Sequence, residues 1–171
     1  MSSVGSIDWR RHLRLQGLTL GLIVLVLWGA EVVDVLLKMT TAFELDHLGI
    51  VPRRAWGLPG VLLAPFLHVS FQHLAANTLP LLVLASFMLL EGGAKFWKAM
   101  IIMILASGSI VWLFGAAGSL YLGSSSVVYG CFGYVLMRAW LTRQPVWIAL
   151  GLVALLIYGG LGASLLTLKE G

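Results

Sequence analysis

The chain has 171 residues, of which 60% are hydrophobic and 11% charged, with a net charge of +4. An ordinary soluble domain is about 25% charged, and a chain of this size keeps too large an exposed fraction to hide so much apolar surface from water; a soluble fold is excluded, and the bilayer is the expected solvent. The basic residues are scattered between apolar runs without a patch of interleaved aromatics, which argues against nucleic acid, and a single cysteine, Cys131, excludes a disulfide framework or a cysteine metal site.

Crossing a bilayer core about 30 Å thick takes roughly 20 mostly apolar helical residues, and five runs are read as spans. The first extends from about Leu13 to Leu37. It is too long for a signal peptide and has no small-residue cleavage motif before Glu31, so it reads as a retained anchor. The second covers about His68 to Leu90, with Pro80 predicting a kink. The third covers about Phe96 to Phe114. The fourth, about Ser125 to Leu141, is shorter and rich in small residues, and the fifth runs from Pro145, a good first helical residue, to Leu168. The segment from about Met39 to Leu67 is too long for a turn and too broken by Pro52, Pro59 and Pro65 for a span, and is expected to be an ordered loop partly in the interface. No repeat or soluble domain appears, so residues 1–171 read as a single membrane domain, an all-α polytopic bundle.

A cytoplasmic N-terminus puts Arg10, Arg11, Arg14, Lys95, Lys98, Arg138 and Arg143 inside, and Lys38, Arg53, Arg54 and Lys169 outside. That bias satisfies the positive-inside rule. The outer ends of the first, second and fourth spans then share one level.

Polar groups within a membrane are costly and mark functional positions. Glu31, Asp34 and Lys38 share a helix face at the outer end of the first span; pairing of Asp34 with Lys38, and Glu31 reaching the headgroups, makes their role structural. His73 and Asn77, four apart, stack on one face of the second helix, whereas His68 points elsewhere. They suit an interhelical polar clamp or a pair of hydrogen-bond donors, and no third ligand at helical spacing supports a metal site. Ser125 and Tyr129 fall on one stripe of the fourth helix, with Ser126 and Gly130 on a neighbouring stripe of small residues that lets the helix pack closely among others. Ser124 or Ser125 could be only an N-cap. A serine nucleophile, however, needs free backbone amides and further donors for an oxyanion, and the assigned topology brings His73 and Asn77 to the level of Ser125.

The spacing His68-x4-His73-x3-Asn77, followed by Gly123-x-Ser125-x3-Tyr129 two spans later, resembles the paired signatures of the rhomboid family of intramembrane serine proteases. The stretch from Gly49 through Pro52, Arg53 and Arg54 to Pro65-Phe66-Leu67-His68 strengthens the resemblance, which covers about Leu13 to the C-terminus. It implies a six-helix core, Ser125 as nucleophile of a serine–histidine dyad, an oxyanion hole from His73, Asn77 and the Ser125 amide, and supporting positions at Gly123, Tyr129 and His68. The implied reaction is cleavage of transmembrane substrates near the outer face of a plasma or bacterial inner membrane. No metal or other cofactor is expected.

One departure bears on activity. The family carries its catalytic histidine on a sixth span, yet the four histidines here, His12, His47, His68 and His73, all precede Ser125. A serine without a general base is a poor nucleophile, so these residues alone are not expected to be a competent hydrolase. Truncation of a longer protein is the expected explanation; a shortened relative that binds membrane clients without cutting them is the alternative, and His73 acting as base would remove it from the oxyanion hole.

Overall fold

The computed structural model describes residues 9–41 and 43–167, with side chains through Tyr158; Leu168 and Lys169 lie outside the described residues. The chain is nearly all helix. Five long helices coincide with the five apolar runs: α1 (Trp9–Thr40), α3 (Phe71–Leu89), α4 (Gly93–Phe114), α5 (Ser125–Thr142) and α6 (Pro145–Thr167), with a one-turn helix, α2 (Gly60–Leu63), in the segment after α1. α6 opens on Pro145 as expected, and α3 continues through Pro80. By length and apolarity α1, α3 and α4 can each cross a bilayer, and the protein is an integral membrane protein.

α5 is the hub, packed against α3, α4 and α6. Its Val127, Val128, Cys131 and Val135 enter a core shared with Leu74, Leu81, Leu84 and Met88 of α3 and Phe96 and Met100 of α4. The small-residue stripe faces α4. A Cβ at Gly130 would meet the Met103 sulfur at 2.8 Å, and the Ser107 hydroxyl lies 3.3 Å from that of Ser126. α1 packs on α3, tied by the Trp28 indole donating to Thr78 at 3.2 Å.

The segment after α1 forms short 3-10 turns, Leu45–Leu48, Ala55–Gly57 and Ala64–Phe66, around α2. It is stitched to the α4–α5 connection, which explains why a stretch broken by prolines is ordered. Ile50 and Tyr121 exchange both backbone hydrogen bonds, at 2.8 and 2.9 Å. Arg53, held at φ 56°, donates from its amide to Trp112 and from its guanidinium to the carbonyls of Leu113 and Gly115. The Trp112 indole donates back to Arg54. At α1, Lys38 bridges Asp34 at 2.6 Å and Asp46 at 2.7 Å, while Asp34 accepts the Leu45 amide. The Asp34–Lys38 pairing was expected; a headgroup-facing Glu31 was not found, because its side chain is buried and its Oε2 has no hydrogen-bond partner among the described residues. The opposite end of the bundle is closed by Glu91, which accepts from Arg138 and Tyr134, with Arg138 lying over the Trp147 ring.

Gly60 shows how tightly this segment is seated. A Cβ there would fall 2.4 Å from the Gly49 carbonyl, whereas one at Gly93 would meet nothing within 4 Å. Gly60→Ala should therefore cost about 1–3 kcal/mol and Gly93→Ala within about 0.5 kcal/mol, measured by thermal unfolding in detergent; equal effects would contradict the seating.

Candidate active site

The start of α5 meets the start of α3 beneath the stitched segment. Ser70 caps α3, its hydroxyl accepting the His73 amide at 3.2 Å, which fixes the first turn that carries His73. Asn77, one turn further on, is buried and donates one amide hydrogen to the His73 carbonyl at 3.1 Å; its second hydrogen is available to another acceptor. His73 is half-buried, and its Nδ1 is buried without a hydrogen-bond partner among the described residues.

Gly123 joins the two helices. Its amide donates to the Ala64 carbonyl at 2.9 Å, its φ is +109°, and a Cβ on it would lie 2.7 Å from Cε1 of His73. Only glycine tolerates both the backbone angle and the contact. Ser124 follows as N-cap and Ser125 as the first helical residue. Ser125 is half-buried and borders a cavity of about 80 Å³ shared with Gly123, Ser126 and Ser107. Tyr129 sits one turn along α5 from Ser125.

His68 comes to this site by a different route from the one its spacing suggested. The spacing left it pointing away from His73 and Asn77, in a supporting role. It is in fact almost fully buried, its ring meets that of His73 edge-on with centroids 5.3 Å apart, and its Nε2 lies 3.3 Å from both the amide and the hydroxyl of Ser124. Because an amide can only donate, Nε2 must accept; the Ser124 hydroxyl therefore donates to it, and the ring proton of the neutral imidazole sits on Nδ1. Ser124 itself is 2% exposed and borders an apolar cavity of about 400 Å³ walled by Leu27, Phe66 and Val127. The structure thus gathers His68, His73, Gly123 and Ser124 at one point, with Ser125 next to them and Asn77 and Tyr129 one turn away. Sequence reasoning missed the Ser124–His68 pair; its only signal was a serine beside Ser125 with a second histidine upstream.

Chemically, the first turn of a helix offers unpaired amides and a partial positive charge, suited to an anion. The amides of Ser125, Ser126 and Val127 donate no hydrogen bond among the described residues; the first bond of α5 runs from Val128 to the Ser124 carbonyl. Gly123→Ala should displace His73 and strain the backbone by about 1–3 kcal/mol. Nitrogen NMR of the imidazoles is expected to shift for His73 and not for His12, and an unmoved His73 signal would refute the contact.

A family model described as Rhomboid domain matches residues 53–170. Rv1337 of Mycobacterium tuberculosis, named only as an uncharacterized protein, is 38% identical over 151 residues, covering 85% of this chain and 61% of the relative. ML1171 of Mycobacterium leprae, likewise named, is 34% identical over 150 residues, covering 84% of this chain and 57% of the relative. The chain thus spans about three fifths of the length of the relatives it matches. No solved structure matches it. With most of its length under that model, and with the expected histidines, asparagine, glycine and serine gathered at two adjoining helix starts, the chain belongs to the rhomboid family.

Proposed function

We propose that this chain is the membrane domain of an intramembrane serine endopeptidase that cleaves transmembrane protein substrates through Ser125. The observation that carries the reading is the open first turn of α5, with amides unpaired among the described residues beside a half-buried serine and against His73. In this reading the Ser125 hydroxyl attacks the scissile carbonyl. The developing oxyanion is held by the Ser125 amide and by donors from His73 and Asn77, groups worth most in a site that excludes water. Tyr129 and His68 support the site, and Gly123 keeps the approach to His73 clear.

The hydroxyl proton needs an acceptor. The family resemblance assigns that role to a histidine on a sixth span, and no histidine follows Ser125 in these residues. His68 is committed to Ser124. One observation favours a second reading, in which the chain binds membrane clients without cutting them: among the described residues no histidine is bonded to Ser125, and the serine–histidine hydrogen bond falls on Ser124 instead.

In both readings α5 and α6 join α1, α3 and α4 as spans, the N-terminus is cytoplasmic, and Ser125 lies near the outer face of a plasma or bacterial inner membrane. Support comes from the basic residues, seven of eleven at the ends this orientation puts inside. Reporters fused after Gly93 and near Arg53 should be cytoplasmic and external respectively, and the reverse would overturn the orientation.

The activity is tested on the chain joined to a following helix that bears a histidine, with a helical membrane substrate. Ser125→Ala should abolish cleavage, and Asn77→Ala should lower turnover about a hundredfold to a thousandfold with thermal unfolding unchanged. Inertness of the joined chain with client binding retained would favour the second reading.

A further inference from the structure

The apolar cavity beside Ser124, about 400 Å³, opens sideways from the bundle. Its inner wall is Leu27 of α1, Leu81 of α3, Met100 of α4 and Val127 of α5, all buried. The exposed lining residues are Leu22 (50%) and Val26 (42%) on α1, and Trp97 (41%) and Ile101 (56%) on α4. The mouth is therefore a slot between α1 and α4, two helices that each pack on α3. Pro65, Phe66 and Ser124 close the slot at the end nearer Ser125, and toward the Glu91 end its lining stops at Trp97, one turn into α4.

The walls say what can fill it. Apart from the Trp97 indole, the Ser124 hydroxyl is the only polar side-chain group in the lining, and it is committed to His68. Such a cavity offers water too few hydrogen-bonding partners and stays dry, while an empty one forfeits the dispersion contacts of its walls. Because α1 and α4 can each cross a bilayer, the medium outside the slot is hydrocarbon. A further spanning helix does not suit it, since Pro65, Phe66 and Ser124 stand in its path. An acyl chain does, because it enters from one leaflet and ends at the bilayer middle. One leaflet of hydrocarbon is about 15 Å deep, half of the core, and the slot rises about 10 Å along α4 from Trp97 to Ile104.

The end from which a chain would enter is basic. Lys98, next to Trp97, is exposed and has no ion pair among the described residues, unlike Lys95, which faces Glu91 at 3.9 Å. Its long stem can lie along the apolar rim while the ammonium reaches the headgroups. We infer that the slot between α1 and α4 binds the acyl chain of an anionic phospholipid from the leaflet at the Glu91 end, with the phosphate on Lys98 and the methyl end against Val127 and Ser124. The bound chain backs the first turn of α5, and the site stands whether or not Ser125 cuts a substrate.

The test uses the 171-residue chain in phosphatidylcholine nanodiscs containing a phosphatidylglycerol with a photoreactive diazirine at the end of one acyl chain. Adducts are mapped by mass spectrometry. They are expected at Met100 and Val127, which are 7% and 1% exposed and beyond the reach of surrounding lipid, as well as at Leu156, 85% exposed on α6. Leu27→Trp, which fills the slot, should lower the Met100 and Val127 adducts about tenfold, the weight of an overpacked site, and leave those at Leu156 unchanged. Ile101→Trp, at the exposed mouth, should have the same effect and carries the test should Leu27→Trp fail to fold. Lys98→Ala should lower the interior adducts about fivefold, the weight of one lysine at an anionic surface. Adducts confined to exposed residues, or interior adducts that survive both tryptophan variants, would overturn the inference; interior adducts indifferent to Lys98→Ala would overturn the assignment of the headgroup. Their loss when the chain is joined to a following helix would give the slot to that helix and overturn the lipid as its occupant.

Discussion

The hydrogen bond from the Gly123 amide to the Ala64 carbonyl, 2.9 Å long, fastens the start of α5 to the segment that follows α1. That segment has little secondary structure of its own. It is held by the paired Ile50 and Tyr121 backbones, by Arg53 on three carbonyl and amide contacts, and by the Lys38 bridge to Asp34 and Asp46. Because each tie is made elsewhere in the chain, the position of Ser125 is set by long-range contacts rather than by α5 alone. A backbone at φ +109° with a histidine ring against it is open only to glycine.

The distribution of polar groups follows from the bilayer as solvent. The middle of the bundle is Leu, Val, Met and Phe, while hydrogen-bonding side chains collect at the two ends: His68, His73, Asn77 and the serines at one, Glu91, Tyr134 and Arg138 at the other. Where carboxylates are buried, pairing decides their cost. Asp34 is compensated by Lys38 and the Leu45 amide; Glu31, one turn earlier on the same face, has no such hydrogen bond to Oε2 among the described residues.

The long helices were legible because run length and apolarity are local properties, and the expected limits agree with α1, α3, α4, α5 and α6 to within a few residues. The stripe of Ser126 and Gly130 likewise announced a close neighbour, which proved to be α4. What local pattern could not carry was any contact closed across the fold. The spacing of His68 showed only that it does not share a face with His73 and Asn77, and nothing in the serine run indicates that Ser124, not Ser125, meets an imidazole 56 residues away. Glu31 was misread for the same reason: its helix face was known, but not what packs on it. Arg53 and Arg54 entered the sequence reading as charges for topology and as part of a motif, whereas Arg53 serves as a clasp on the end of α4.

The central claim is that Ser125, and not its buried neighbour Ser124, is the reactive serine of this site. Mass-spectrometric mapping of the adduct left by a serine-directed phosphonate tests it most directly, on the chain joined to a following helix with its histidine. Labelling confined to Ser125, with the 171-residue chain barely above a Ser125→Ala control, is the predicted result. An adduct on Ser124, or strong labelling that survives Ser125→Ala, would contradict it.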